Sequence, residues 1–102
     1  MSNYSASKLF QPINVGTAKL QNRVVLAPLT RMKATESHVP FFELVKTYYT
    51  QRAHSPGTLL ITEATFIAAK AGGFTNIPGI WNEDMIRAWK EVSIYLFLPD
   101  NH

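Results

Sequence analysis

The stretch Asn22–Met32, which reads Asn-Arg-Val-Val-Leu-Ala-Pro-Leu-Thr-Arg-Met, decides the fold of this chain. Its run from Val24 to Leu29 is continuously apolar and has the length of a strand. Strands that are apolar on both faces are typical of parallel sheets, because such sheets are covered on both sides. The stretch therefore predicts a buried parallel strand whose C-terminal end presents polar side chains and backbone groups.

A hairpin and a helix are predicted on either side of this strand. Leu9–Val15 and Ala18–Leu20 flank Gly16-Thr17, and a glycine that can take a positive φ is typical of a hairpin turn. After a polar loop that ends at Pro40, apolar side chains repeat at helical spacing. We expect an amphipathic helix over residues 41–53. Pro40 stands where this helix would start, because proline is tolerated at the first helical position. Its apolar stripe consists of Phe41, Leu44, Val45, Tyr48 and Tyr49.

A second strand and a second helix continue the alternation. Thr58–Thr62 is an apolar run that follows the helix-breaking Ser55-Pro56-Gly57, and a long loop then begins at Glu63. After that loop, Asn82 is a suitable N-cap for a helix. The run Ser93–Leu98 is apolar enough for a third strand. This order favours an α/β fold with a parallel sheet. The apolar stripe of the second helix consists of Met85, Ile86, Trp89 and Val92.

The composition limits the class of protein and its partners. The chain has 102 residues, 46% of them hydrophobic, and a formal charge of +3 that is not clustered with aromatic residues. It therefore indicates one globular unit and no nucleic-acid partner. No run approaches the roughly 20 apolar residues of a membrane span, and no secretory signal is visible. The absence of cysteine excludes disulfides and suits an intracellular, cytoplasmic protein.

Six sequence blocks follow one another in a fixed order: Leu9–Ile13 with Asn22-Arg23, Ala27–Met32, Tyr48–Ala53, Leu60–Ala64, Ala71–Phe74 and Pro78–Trp81. In their order and spacing they resemble the Old Yellow Enzyme family of FMN-dependent NAD(P)H ene-reductases, and most of all its fungal members. The resemblance implies the N-terminal part of a (β/α)₈ TIM barrel, incomplete because such a barrel takes about 250 residues. It implies a capping hairpin followed by β-α-β-α.

The same resemblance implies which residues contact the cofactor FMN. Pro28, Leu29 and Thr30 line the flavin, and the Thr30 hydroxyl bonds its C4 carbonyl oxygen. Ala64 is a small residue whose main chain also meets the ring, and Phe74 lies in a substrate-side loop. A hydrogen bond at that oxygen stabilises charge on the reduced ring, which is how a protein tunes a cofactor.

Other interpretations of these residues stay open. Pro28 and Thr30 could simply end a strand, and Glu63 is either functional or a polar residue satisfied inside the barrel. Gly72-Gly73 lacks the spacing and the lysine of a phosphate loop, so a plain loop is expected. The aromatic face of the first helix is expected to be core. The histidines have no metal-ligand spacing, and we expect them to be solvated: His38, His54 and His102.

The resemblance divides the chain into a flexible start over residues 1–8, an FMN-binding barrel portion over residues 9–92 and a divergent tail over residues 93–102. The tail does not match the family's third strand, which carries a flavin-contacting glutamine. No residue matches the family's proton donor or substrate clamp. We therefore expect part of an enzyme that reduces enals or enones with NAD(P)H, inactive as an isolated chain. The alternative is a non-catalytic short protein that binds flavin weakly or pairs through its open sheet edge.

Overall fold

The computed structural model describes residues 7–96 and contains the predicted alternation of strands and helices. Residues 1–6 of the predicted flexible start and residues 97–102 of the predicted divergent tail lie outside the described part. Two short 3₁₀ helices, Lys8–Phe10 and Ala69–Ala71, accompany the main elements. Those elements are β1 (Ile13–Val15), β2 (Ala18–Leu20), β3 (Val25–Leu26), α1 (Phe42–Arg52), β4 (Leu59–Leu60) and α2 (Glu83–Leu96).

The predicted hairpin is confirmed. β1 and β2 pair in antiparallel register, with Ile13 opposite Leu20, and Gly16 takes the expected positive φ of 61° in the turn. Below the hairpin, the Gln21 backbone N–H donates to the Gly57 carbonyl at 3.0 Å. Gly57 has a φ of 78°, and a Cβ at this position would overlap the Gln21 side chain. A glycine is therefore required where the hairpin meets the sheet.

The predicted parallel pairing is also confirmed, but both strands are shorter than expected. Val25 lies opposite Leu59 and Leu26 opposite Leu60, and the Ile61 N–H extends the ladder to the Leu26 carbonyl at 3.1 Å. Pro28 has no N–H to donate, so it cannot prolong β3 as a ladder donor. The expectation that β3 is buried on both faces is wrong for the described residues, since Val25 is 39% exposed. Helices cover only one face of the pair.

The core lies between the two helices and the covered face of the sheet. Val45, Tyr48 and Tyr49 of α1 pack with Val92 of α2, and Leu26 and Leu60 pack against them from the strands. This part of the helix stripe is confirmed as core. The outer part of the predicted stripe is exposed, because it lies on flanks that no described element covers: Phe41, Leu44 and Ile86.

The helix starts follow the capping rules in one case and depart from them in the other. Asn82 is confirmed as the N-cap of α2, since its Oδ1 accepts the Met85 N–H at 2.9 Å. Pro40, predicted in the first position of α1, instead precedes the N-cap residue Phe41, whose side chain makes no cap bond. Pro40 is buried in a bridge with Ala34, which fixes it outside the helix.

The third strand is not formed over Ser93–Leu96, because these residues are the last turn of α2. Leu96 lies four residues after Val92, so helical continuation places both side chains on the core face, where Leu96 packs against the cluster. Phe97 and Leu98, the rest of that predicted strand, lie outside the described residues. Within residues 7–96, neither helix has the length and apolar character needed to cross a membrane.

The long loop after β4 contains a backbone bridge and is hydrogen-bonded to the loop before α1. Phe66 and Gly79 form a parallel bridge, and the Gly79 N–H donates to the His38 carbonyl at 2.8 Å. The expectation of a solvated His38 is wrong. Its ring Nδ1 lies 2.7 Å from the Ile77 carbonyl and its ring packs edge-on against Phe66. His54 is exposed as expected, and His102 lies outside the described part.

Candidate functional site

The carboxyl ends of β3 and β4 emerge side by side, because the two strands are parallel neighbours. We call the segments that follow them, Pro28–Arg31 and Glu63–Thr65, the strand-end edge. This edge contains all the residues predicted to contact a cofactor, and each of them is exposed: Pro28, Leu29, Thr30 and Ala64. In an α/β fold, the carboxyl ends of parallel strands are where ligands bind.

Glu63 ties the two segments of this edge together. Its side chain is buried, with 2% exposed, and its Oε1 accepts the backbone N–H of Arg31 at 3.2 Å. The Glu63 backbone N–H in turn donates to the Tyr49 hydroxyl at 3.0 Å. The Thr65 hydroxyl donates to the Glu63 carbonyl at 2.8 Å. Of the two interpretations open for Glu63, these bonds favour a satisfied polar residue that positions the loops.

The Tyr49 hydroxyl supports this arrangement from α1. Burial raises the pKa of Tyr49 above its ordinary value, and the nearby charge of Glu63 raises the pKa further. The Glu63 N–H, which donates to the hydroxyl, and the more distant Arg31 charge act in the opposite direction. The hydroxyl therefore stays protonated near neutral pH and serves as a neutral acceptor beneath the edge.

Thr30 and Ala64 are exposed, one after each strand of the pair. The Thr30 carbonyl accepts from the Arg31 Nε at 2.9 Å, whereas Thr30 is an exposed residue whose hydroxyl bonds no described residue. That hydroxyl can donate to a carbonyl oxygen of a ligand. Ala64 presents only a methyl group, so a ring can approach the main chain there. The Leu29 N–H is already turned to the Ala27 carbonyl at 2.9 Å.

Not every residue that the sequence singled out is joined to this edge. Phe74 is 73% exposed in the loop after the second 3₁₀ helix, and among the described residues no hydrogen bond or ring contact joins it to the strand ends. Within residues 7–96, no three His, Cys, Asp or Glu side chains stand close enough to hold a metal ion. The link from Tyr49 to Glu63 was missed, because a tyrosine at a core position of a helix predicts packing alone.

A cavity among the described residues lies apart from the strand-end edge. It measures about 450 Å³ and is bounded by α1, β4 and α2. No charged side chain lines it. We call it the apolar groove; its main lining residues are Tyr49, Leu59, Leu60, Trp89, Val92 and Leu96.

Comparison with known proteins identifies the family. A family model described as NADH:flavin oxidoreductase / NADH oxidase family matches residues 8–94. The chain is 56% identical over 87 residues to a chanoclavine-I aldehyde reductase of Penicillium roqueforti, covering 85% of this chain and 23% of that protein. It is 56% identical over 88 residues to a probable inactive dehydrogenase of Claviceps fusiformis, covering 86% and 23%. High identity over this region therefore does not separate active from inactive relatives.

Solved structures give the same result for the fold. The Old Yellow Enzyme from a Pichia species superposes with a TM-score of 0.81 at 42% identity, covering 87% of this chain and 23% of that one. The homologue from Zymomonas mobilis gives a TM-score of 0.80 at 40% identity, covering 88% and 24%. This chain thus spans about a quarter of the length of its relatives. It belongs to the NADH:flavin oxidoreductase / NADH oxidase family, with the partial barrel fold of an Old Yellow Enzyme.

Proposed function

We propose that the strand-end edge holds one side of FMN in a protein that reduces the C=C bond of α,β-unsaturated carbonyl compounds with NAD(P)H. The observation that carries this proposal is the exposure of Pro28–Thr30 and Ala64 on two adjacent parallel strand ends. Membership in a flavin oxidoreductase family supports the choice of cofactor. When bound, FMN supplies hydride transfer between the nicotinamide and the unsaturated substrate.

The residues of this chain have distinct parts in the proposal. The Thr30 hydroxyl donates a hydrogen bond to the C4 carbonyl oxygen of the flavin, and the main chain at Pro28, Leu29 and Ala64 packs along the ring. Glu63 is a positioning residue, since it holds the Arg31 backbone from a buried site. We assign the part of proton donor or substrate clamp to none of the described residues.

A chimera tests the proposal on a complete barrel. Residues 8–94 of this chain replace the matching residues of the Penicillium roqueforti aldehyde reductase, which is 56% identical over this region. We expect the purified chimera to retain FMN, measured by its visible absorbance, and to oxidise NADPH or NADH when an enal is added. A chimera that is monodisperse and helical by circular dichroism but holds no FMN would contradict the proposal.

Single substitutions in the chimera test the Thr30 role. Thr30→Val keeps the shape of the side chain and removes the hydroxyl, so we expect weaker FMN retention and a lower flavin reduction potential. Thr17→Val is the matched control, because Thr17 lies in the exposed hairpin turn between β1 and β2. Equal flavin potentials in the two variants would contradict the assigned hydrogen bond.

The isolated chain is expected to be inactive. It spans about a quarter of its relatives, and an assay of the pure 102-residue protein with FMN, NADPH and cyclohexenone should give no oxidation above the protein-free blank. Measurable enone reduction would overturn this expectation. The cytoplasmic location remains a prediction from the sequence.

A second candidate function is pairing with other chains through the open sheet. The unpartnered side of β4 in the described residues and the apolar groove beside it favour this alternative, because unpaired edges recruit further strands. Sedimentation velocity of the pure chain, with and without FMN, distinguishes pairing from flavin binding. A stable, concentration-dependent oligomer that excludes FMN would favour pairing, whereas a monomer that binds FMN would favour the flavin proposal.

A further inference from the structure

Three cationic side chains surround the ring of Tyr48, on the flank of α1 away from the apolar groove. The Arg52 Cζ lies 4.0 Å from the ring centre, the Lys33 Nζ 5.3 Å and the Arg31 Cζ 5.9 Å. Arg31 and Lys33 come from the loop after β3, and Arg52 comes from the last turn of α1. Residues far apart in sequence therefore bring three positive charges to one buried ring.

These side chains line an open depression of about 340 Å³. We call it the basic depression. It is distinct from the apolar groove, with which it shares no lining residue, and Arg31 is its one residue within the strand-end edge. The depression contains no acidic side chain; its lining consists of Arg31, Lys33, Leu44, Thr47, Tyr48, Gln51 and Arg52.

No described acid forms an ion pair with these cations. Within residues 7–96, the ion pairs join Lys46 to Glu43 and Arg87 to Asp84, and neither includes a cation of the basic depression. Glu63 accepts the Arg31 backbone N–H rather than its guanidinium. The Tyr48 ring attracts the cations through its face but carries no charge to offset theirs. Mutual repulsion among the three cations thus favours an anion between them.

Hydrogen-bond donors suited to an oxyanion are present in the same place. One guanidinium nitrogen of Arg52, Nη1, donates to the Tyr48 carbonyl at 3.3 Å and to Gln51 Oε1 at 3.0 Å, which leaves its other nitrogens without a described partner. With Oε1 so engaged, the Gln51 amide group remains a donor. The Thr47 hydroxyl is a further donor at an exposed position of α1. Guanidinium and ammonium groups together match the several oxygens of a phosphate.

We propose that the basic depression binds a phosphate-type oxyanion, either free phosphate or the phosphate group of a monoester. The ligand sits between Arg52, Lys33 and Arg31, with Gln51 and Thr47 as neutral donors. This site is separate from the proposed FMN contacts of Pro28, Leu29, Thr30 and Ala64, and it does not depend on them.

The test is a titration of the 102-residue chain with inorganic phosphate and, separately, with AMP at constant ionic strength. Amide shifts in ¹H–¹⁵N spectra locate the binding, and circular dichroism checks the helices of each variant. We expect saturable shifts at Lys33, Gln51 and Arg52, weakened roughly tenfold by Lys33→Gln or by Arg52→Gln. Tighter binding of AMP would identify a monoester as the ligand, and equal binding would identify the free oxyanion.

Matched controls separate a site from a general charge effect. Lys19→Gln and Arg87→Gln remove the same charges from exposed positions on β2 and α2, outside the basic depression. We expect each to change the affinity by less than about twofold, as for surface charges screened by salt. Equal weakening by all four substitutions would overturn the proposal, and so would a folded parent chain with no saturable shifts. Arg52→Lys, which keeps the charge, should retain part of the affinity.

Discussion

Tyr49 connects the core to the candidate site. Its ring packs between α1 and α2 with 2% of the residue exposed, and its hydroxyl accepts the Glu63 backbone N–H. Glu63 then holds the Arg31 backbone through its carboxylate. One tyrosine hydroxyl thus fixes the position from which the second strand end departs.

Removal of this hydroxyl should destabilise the chain in a pH-dependent way. Tyr49→Phe leaves the buried Glu63 N–H without an acceptor, and we expect the free energy of unfolding to fall by about 1–3 kcal/mol at neutral pH. The folded pKa of Tyr49 is raised, so the unfolded chain releases its proton first as the pH increases. The parent chain therefore loses stability above about pH 10, and the variant should lack that component.

Urea denaturation followed by circular dichroism measures both effects. Tyr48→Phe is the matched control, because Tyr48 is the adjacent buried tyrosine and its hydroxyl makes no hydrogen bond shown among the described residues. If the two variants lose the same stability at neutral pH, the Glu63 bond does not contribute as inferred.

The position of Pro28, Thr30 and Ala64 at strand ends could be predicted from the sequence, whereas the bonds that hold these ends in place could not. The position of Pro28, Thr30 and Ala64 follows from a local sequence pattern, since each lies near the end of an apolar run of strand length or just after one. The bond from Tyr49 to Glu63 joins residues 14 positions apart and forms only when α1 packs on the sheet. Residue types alone do not indicate such a tertiary contact.

Helix α2 shows how capping decides an element boundary. The Asn82 side chain accepts the Met85 N–H at 2.9 Å, and Glu83 and Asp84 follow at the positive end of the helix. Asn82→Ala should lower the free energy of unfolding by about 1 kcal/mol. Asn82→Asp, which keeps an acceptor, should preserve it. Thermal denaturation measures the change.

Asn14→Ala is the matched control for this substitution, since Asn14 is exposed on β1 and caps no helix. A loss as large as that of Asn82→Ala would show that the cap is not the cause.

At the C-terminal end of α2 the sequence did not predict the structure correctly. The apolar run Ser93–Leu98 suits a strand as well as a helix, and only the packing of Leu96 beside Val92 decides between them over the described residues.

At the scale of the whole molecule, the helices cover one face of a two-stranded sheet and leave much apolar surface in contact with water. The apolar groove is a part of this surface with a defined shape. We expect the chain to bind the dye ANS there at neutral pH. Ser93→Glu places a charge on the lining of the groove and should reduce the ANS fluorescence.

Ile94→Glu is the control, because Ile94 is 52% exposed on the same helix and does not line the groove. If Ile94→Glu reduces the fluorescence as much as Ser93→Glu, the dye does not report on the groove.

At this scale the α/β class and the parallel strand pairing could be predicted from the sequence. The groove could not, because it depends on which strand edge is left without a neighbour.

The attachment of the hairpin has a consequence for motion. Five of the six residues in β1 and β2 are exposed, and the hairpin is fastened to the sheet by the Gln21–Gly57 bond and by the Asn22 amide, which donates to the Thr58 hydroxyl at 3.0 Å. A unit with so little buried surface opens at a lower free energy than the core helices. Its amide hydrogens should therefore exchange with deuterium well before those of α1, as a separate cooperative step.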